Sequence, residues 1–198
     1  MKKMINNIYE TNKMKVEVDV DEGVVYKTFK KKNQASSYTM YHREKKALIL
    51  LSDSTYFPNL LDFDDNKQTI KMSQLVGSHI ETFSIHQIKI LRDMVEKMLQ
   101  AGVARHALPI RDFVAPPHDK YSLGMVDFER VTFRIFALSP FWLIAKKVTY
   151  YHLYRLIYQY HPHLLSKTEK DFYLIFENIR SVLQKLKPLR KKLKSIFK

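Results

Sequence analysis

One short stretch does most to restrict what this chain can become. From Ala101 to Arg130 it reads Ala-Gly-Val-Ala-Arg-His-Ala-Leu-Pro-Ile-Arg-Asp-Phe-Val, a polar turn, then Leu-Gly-Met-Val-Asp-Phe-Glu-Arg. Gly102 is a natural helix terminator, and the irregular segment behind it carries His106, Arg111 and Asp112. A short apolar strand follows and turns at Pro116-Pro117-His118-Asp119, where Pro and Asp favour reversal. The return strand, residues 123–126, delivers Asp127 at its end. The pattern predicts one hairpin with a carboxylate at each mouth, Asp112 entering and Asp127 leaving. Such a pair can share a divalent cation, because Mg²⁺ takes one or two carboxylates together with phosphate oxygens and water. Asp is also an ordinary residue of turns, and spacing alone weighs toward that plainer role.

Residues 15–29 read as an earlier hairpin. Val16, Val18 and Val20 alternate with Lys15, Glu17, Asp19 and Asp21; Glu22-Gly23 turns the chain, and Val24-Val25-Tyr26-Lys27-Thr28-Phe29 returns. Lys30-Lys31-Lys32 closes it. Lys27 stands inside the strand among apolar neighbours. Pointing outward it is a solvated lysine; pointing inward it requires a carboxylate or phosphate partner. Residues 36–51 turn to helical spacing, with Ser36-Ser37 as caps and Tyr41, Ala47, Leu48 and Leu51 on the apolar side. Glu44 of that helix is a candidate partner for Lys27. Phe57-Pro58-Asn59 turns, residues 60–63 and 69–75 read as two strands around Asp64-Asp65-Asn66, and Val76-Gly77-Ser78 reads as a linker.

The clearest helix spans residues 84–101, with Ile85, Ile88, Leu91, Val95, Met98 and Leu99 as its apolar stripe. Pro140 opens another helix that runs to about Tyr160, rich in Trp142, Tyr150, Tyr151, Tyr154 and Tyr158, whose spacing fits core packing rather than a ligand box. His161-Pro162-His163 has the wrong spacing for two metal ligands on one helical face. In residues 168–198, Val182, Leu186, Leu189, Leu193 and Ile196 keep helical steps. Lys185, Lys187, Arg190, Lys191, Lys192, Lys194 and Lys198 accompany them, and Pro188 is expected to divide the segment. A basic amphipathic terminus suits an anionic membrane face; a solvated helix resting its leucines on the domain is the equal alternative.

Composition bounds the possibilities. A 198-residue chain with 45% hydrophobic residues, 12 Tyr and 12 Phe can bury a core. Without cysteine it has no disulfide, thiolate metal site or Cys nucleophile. Asn6, Asn7, Glu10 and Asn12 interrupt any signal-like run, and the longest apolar run, residues 136–145, is broken by Ser139-Pro140 and is far short of the roughly 20 residues a spanning helix needs. The formal charge of +14 points to an anionic partner without choosing among nucleic acid, acidic lipid and phosphorylated substrate. No nucleic-acid motif is recognised, so nucleic acid is the disfavoured partner.

Hairpin with Lys27, helix with Glu44, two strands, linker, long helix, polar loop and hairpin ending in Asp127 together resemble a protein kinase. The likeness is to the small bacterial lipopolysaccharide-core sugar kinases, the Kdo and heptose kinase group, over about residues 15–160. It implies an α+β, compact, bilobal fold: a small antiparallel β-rich lobe (1–77), a mostly helical lobe with the catalytic-loop hairpin (78–181), and a basic amphipathic helix (182–198). It implies ATP and Mg²⁺ as cofactors, with Lys27 on the α/β-phosphates, Glu44 pairing with that lysine, and Gln74 and Val76 in the hinge beside adenine. Met125-Val126-Asp127-Phe128-Glu129 resembles the Asp-Phe-Gly element, which makes Asp127 a metal ligand. Setting Leu108 on the family's His-Arg-Asp-Leu-x-x-x-Asn places Arg105-His106-Ala107 over His-Arg-Asp and Asp112 over the metal-binding Asn. The catalytic aspartate is thus replaced by Ala107, and the glycine-rich loop is reduced to Gly23. His106 or Asp112 is the remaining candidate to steer an acceptor hydroxyl. The resemblance implies a divergent phosphotransferase acting on a sugar or lipid-linked core oligosaccharide, in the cytoplasm at the inner membrane face. The alternatives are an inactive kinase-like scaffold and a basic protein that binds anionic lipid or nucleic acid.

Overall fold

Valines alternating with charged residues make the N-terminal third a sheet. The computed structural model describes residues 7–30 and 34–196, without the side chains of 34–35 and 186–196. Its first strands are β1 (Ile8–Glu10), β2 (Met14–Asp19), β3 (Val24–Phe29), β4 (Leu60–Asp64) and β5 (Thr69–Ser73). They lie in the order β1-β2-β3-β5-β4, each neighbouring pair antiparallel. β3 is central, with Val16 and Ile70 as the register partners of Lys27. β2 is half-buried along its whole length rather than on alternate positions. Val20 is exposed because it belongs to the turn beyond the strand.

α1 (Gln34–Leu50) packs on this sheet, with Tyr41 meeting Phe29 edge to face at 6.0 Å between ring centres. Tyr41, Ala47, Leu48 and Leu51 are buried, as their spacing requires. The helix begins before Ser36, so Ser36 and Ser37 lie in its first turn instead of capping it. Tyr41 and Lys45 both donate to the Asp65 carboxylate, which fastens α1 to the β4–β5 turn.

The next segment alternates short strands with α2 (Ile85–Gln100). β6 (Ser78–His79), β8 (Phe113–Ala115) and β9 (Gly124–Met125) form one sheet in the order β6-β8-β9, while β7 (Val103–Arg105) pairs with β10 (Val131–Phe133). Ser84 caps α2: its hydroxyl accepts from the Gln87 N–H at 3.0 Å, and Gln87 accepts from the Ser84 N–H at 2.9 Å. The Gln87 amide also donates to the Asp119 and Ser122 carbonyls, which ties the β8–β9 turn to the helix. Ile88, Leu91, Val95, Met98 and Leu99 are buried, but Ile85, next to the cap, is 43% exposed. Val76-Gly77-Ser78 is no free tether. β6 pairs with β8, and a Cβ on Gly77 would stand 2.1 Å from the Ala115 carbonyl carbon.

α3 (Pro140–Tyr160) begins with proline at its first position, where the missing N–H costs nothing. α4 (Lys167–Ile196) opens on a Ser166–Glu169 capping box. It runs unbroken through Pro188, where a division was expected; a proline inside a helix removes one backbone bond but does not oblige the helix to end. The basic side chains from Lys187 to Lys198, and Lys31 and Lys32, lie outside the described residues. The chain divides into two compact units, Met1–Thr149 and Tyr150–Lys198. In the second, Tyr151 is buried, stacks near Tyr173 and Phe176, and donates to Glu177. Among the described residues no helix is long and apolar enough to cross a membrane.

Candidate active site

The alternation of β3 puts Lys27 on the same face as Phe29, under α1. The lysine is buried, with its Nζ 5.3 Å from the Phe29 ring centre. Of the two directions open to it, Lys27 takes the inward one. Its Nζ donates to Glu44 Oε2 at 3.1 Å and to Asp127 Oδ1 at 2.8 Å. The central strand, the first helix and the end of the β8–β9 hairpin therefore converge on one ammonium.

Asp127 reaches that ammonium through an uncommon backbone. It sits at φ +71°, a left-handed conformation that costs a non-glycine residue about 1–3 kcal/mol. The turn aims the Phe128 N–H at Glu44 Oε2, 2.9 Å away, so the same carboxylate oxygen receives both the lysine and the backbone. Phe128 is buried edge to face against Phe57, at 5.5 Å between ring centres.

Asp112 is positioned by a residue whose role the sequence did not reveal. Arg105, at the end of β7, is buried; it donates to Asp112 Oδ2 at 2.5 Å and to the Val126 carbonyl at 3.1 Å. The Val126 N–H donates to the Asp112 carbonyl at 2.9 Å. Asp112 and the residue before Asp127 are thereby stitched together across the hairpin. A charged residue closing a short, fully buried strand needs a carboxylate. That burial arises only once β7 is packed, and its three residues do not announce it in the sequence. Glu129 was also missed: it is buried, its Oε1 lies 3.5 Å from Arg130 Nε, and its Oε2 accepts no hydrogen bond.

Charge is crowded here. For Lys27, burial works against the ammonium, but Glu44 and Asp127 outweigh it and hold the lysine above its ordinary range. Burial pushes the Glu44 carboxyl up to about 7; Lys27 opposes this, and Asp127 and Glu129 add to it. Asp112 is raised by burial and by the Asp127 charge, against the pull of Arg105. Asp127 suffers the same desolvation, yet Lys27 and Arg105 bring it below the usual carboxylate value. Glu44, Asp127 and Glu129 gather about Lys27, while Arg105 holds Asp112 and Arg130 stands beside Glu129, whose buried Oε2 accepts no hydrogen bond among the described residues. Among the described residues no three His, Asp or Glu side chains are arranged to hold a metal unaided. Asp112 and Asp127 match the set Mg²⁺ uses when phosphate oxygens complete its shell.

No protein-family model matches the chain, and no curated protein matches it in sequence. Solved structures do match it. The Rio2 kinase from Chaetomium thermophilum aligns with a TM-score of 0.58 at 13% identity, over 84% of this chain and 60% of that one. The Rio2 kinase-ADP/Mg²⁺-phosphoaspartate complex from the same organism gives 0.55 at 14% identity, over 84% and 59%. The fold is protein-kinase-like. At such identity the likeness speaks for the fold, and this chain spans 59–60% of the length of those kinases.

The other expected site residues of this kinase-like fold stand apart from the ion cluster. His106 is exposed, and its Nε2 lies 2.8 Å from Thr132 Oγ1 on β10. Burial of the ring and the charges of Arg43 and Arg130 lower its pKa, which favours neutral imidazole. Ala107, next to it, is exposed and carries no acid–base group. The Gln74 N–H donates to the Gly23 carbonyl at 2.8 Å, so it is already committed to the β2–β3 turn. Val76 is 78% exposed.

Proposed function

We propose that this chain is a divergent ATP-dependent phosphotransferase acting on a hydroxyl of a sugar or lipid-linked core oligosaccharide. Its setting in this reading is the cytoplasm, at the inner membrane face. The observation that carries the nucleotide part is the convergence of Lys27, Glu44 and Asp127, drawn from three elements of a kinase-like fold. Mg·ATP, when bound, would supply the phosphoryl group and neutralise its developing charge. Lys27, held in place by Glu44, presents a fixed ammonium to the phosphates. Asp127 and Asp112 offer carboxylate oxygens to the cation. His106, neutral at physiological pH, or Asp112 orients the acceptor hydroxyl. Val76, 78% exposed, is the hinge residue left to meet adenine, whereas the Gln74 N–H would first have to leave Gly23.

The sugar and lipid part rests on the sequence resemblance to lipopolysaccharide-core kinases. The membrane part has support from α4, where Ile175, Ile179, Val182 and Leu183 are 50–59% exposed at helical spacing on a segment that ends in basic residues. A second reading, an inactive kinase-like scaffold, is favoured by one observation: Ala107 stands where the family's general base would be.

The test is thermal melting with and without Mg·ATP, for the native chain and for Asp127→Ala, each against its own baseline. Saturating nucleotide should raise the native melting temperature by several degrees and leave Asp127→Ala unmoved. No shift in the native chain would end the nucleotide reading. ATP turnover on a sugar-lipid extract then separates transferase from scaffold.

A further inference from the structure

Beyond β10 the chain leaves the core with apolar side chains facing out. Ile135 is 86% exposed, Phe136 58%, Leu138 79%, Phe141 80% and Ile144 61%. Single exposed apolar residues are ordinary, but five within ten positions form a patch that calls for a partner. Local misfit does not explain it. Ser139, Trp142 and Ala145 on the same segment are buried, and Ser139 starts α3, accepting from the Leu143 N–H at 2.9 Å. The first turns of α3 are therefore apolar on both their inner and outer sides, a pattern of helices that are covered by something.

Along the chain from Arg130 to Thr168 the charge has one sign. Arg130 and Arg134 precede the patch, Lys146 and Lys147 follow it, and all four are exposed. Not one Asp or Glu occurs from Arg130 to Thr168. Lysine and arginine flanking phenylalanine, leucine and isoleucine is the composition of interfacial segments: the rings and branches enter the acyl boundary while the cations stay among anionic headgroups. A second copy of the chain would set the same four cations against each other around a symmetric contact.

We propose that residues 134–147 dock this chain on an anionic lipid bilayer, with Ile135, Phe136, Leu138, Phe141 and Ile144 inserted and the flanking Arg and Lys on the headgroups. The proposal extends the reading above by naming a membrane-facing surface in the Met1–Thr149 unit, separate from α4. Docking requires neither nucleotide nor a working cleft, so its failure and the failure of the phosphotransferase reading are distinguishable.

The experiment is co-sedimentation of the full chain with phosphatidylcholine vesicles, with and without phosphatidylglycerol. It compares the native protein, Ile135→Ser/Leu138→Ser/Phe141→Ser and Lys146→Glu/Lys147→Glu. Because the altered side chains are exposed, both variants should keep the native melting temperature. The native chain should bind the phosphatidylglycerol vesicles and not phosphatidylcholine alone, and each variant should bind roughly tenfold or more weakly. Trp142, the sole tryptophan, gives an independent readout: brominated phosphatidylglycerol should quench it in the native chain. Native-strength binding by the serine variant would assign any adhesion to the basic C-terminal helix and overturn the proposal. So would an absence of vesicle binding, or a native dimer in solution that the serine variant abolishes.

Discussion

At Lys27 a single ammonium answers two carboxylates directly and a third, Glu129, through space. The least comfortable member is Glu44, whose carboxyl burial pushes up to about 7 from an ordinary 4.5. A carboxyl whose folded pKa lies above its unfolded one binds more protons when folded. Its contribution to stability is therefore complete below the unfolded value and is lost as pH rises through the folded one. Glu44→Gln keeps an acceptor for Lys27 and the Phe128 N–H but cannot ionise. Between about pH 5 and about pH 8, its stability relative to the native chain should improve by roughly 1–3 kcal/mol. Urea unfolding of both proteins at the two pH values checks this, and an unchanged difference would mean that Glu44 titrates like an exposed acid. Asp127 has the opposite sign. Its lowered pKa gives stability that is lost only as pH falls below the carboxylate range, outside that window.

Elements are held in place by backbone approaches that side-chain patterns do not encode. Gly77 joins β5 to β6 at φ +120°, and a Cβ there would lie 2.1 Å from the Ala115 carbonyl carbon and 2.2 Å from its oxygen. Neither atom can yield without breaking the β6–β8 pairing. Gly77→Ala should therefore cost at least about 2–3 kcal/mol. Gly23→Ala, also at positive φ but facing open space, should cost only about 1 kcal/mol. Equal losses in parallel thermal melts would show that strain, not the contact, governs both. The same scale explains which elements were readable. The apolar stripe declared α2 from sequence, and alternation with the Glu22-Gly23 turn declared β2 and β3; the capping box at Ser84 showed itself only in the structure. β7 and β10 have three residues each and pair residues 26 to 30 positions apart, too short a pattern to announce itself.

Over the whole molecule the charge of +14 opposes compactness by self-repulsion, while exposed ion pairs such as Lys97–Asp93 return little. Added NaCl should screen the repulsion more than it weakens those pairs. The urea midpoint should rise with salt, by on the order of 1 kcal/mol in stability between low and molar-range concentrations. A midpoint that falls with salt would mean that attractive pairs dominate.

The sequence by itself determined the α+β character, the chief helices and strands, the absence of disulfides, and a short list of charged residues from which the site had to be drawn. Lys27 was on that list because it interrupts a strand, Asp127 because it ends one, and Glu44 as the helix carboxylate offered to Lys27; local patterns are written within a few turns or one strand. Only the tertiary structure decided that Lys27 points inward and meets an aspartate 100 residues away. It alone showed that Arg105 holds Asp112, that the Gln74 N–H is spent on Gly23, and that the apolar side chains after β10 face outward. Those outcomes depend on which surfaces pack together. Burial, which gives an isolated charge its need for a partner, does not exist until they do.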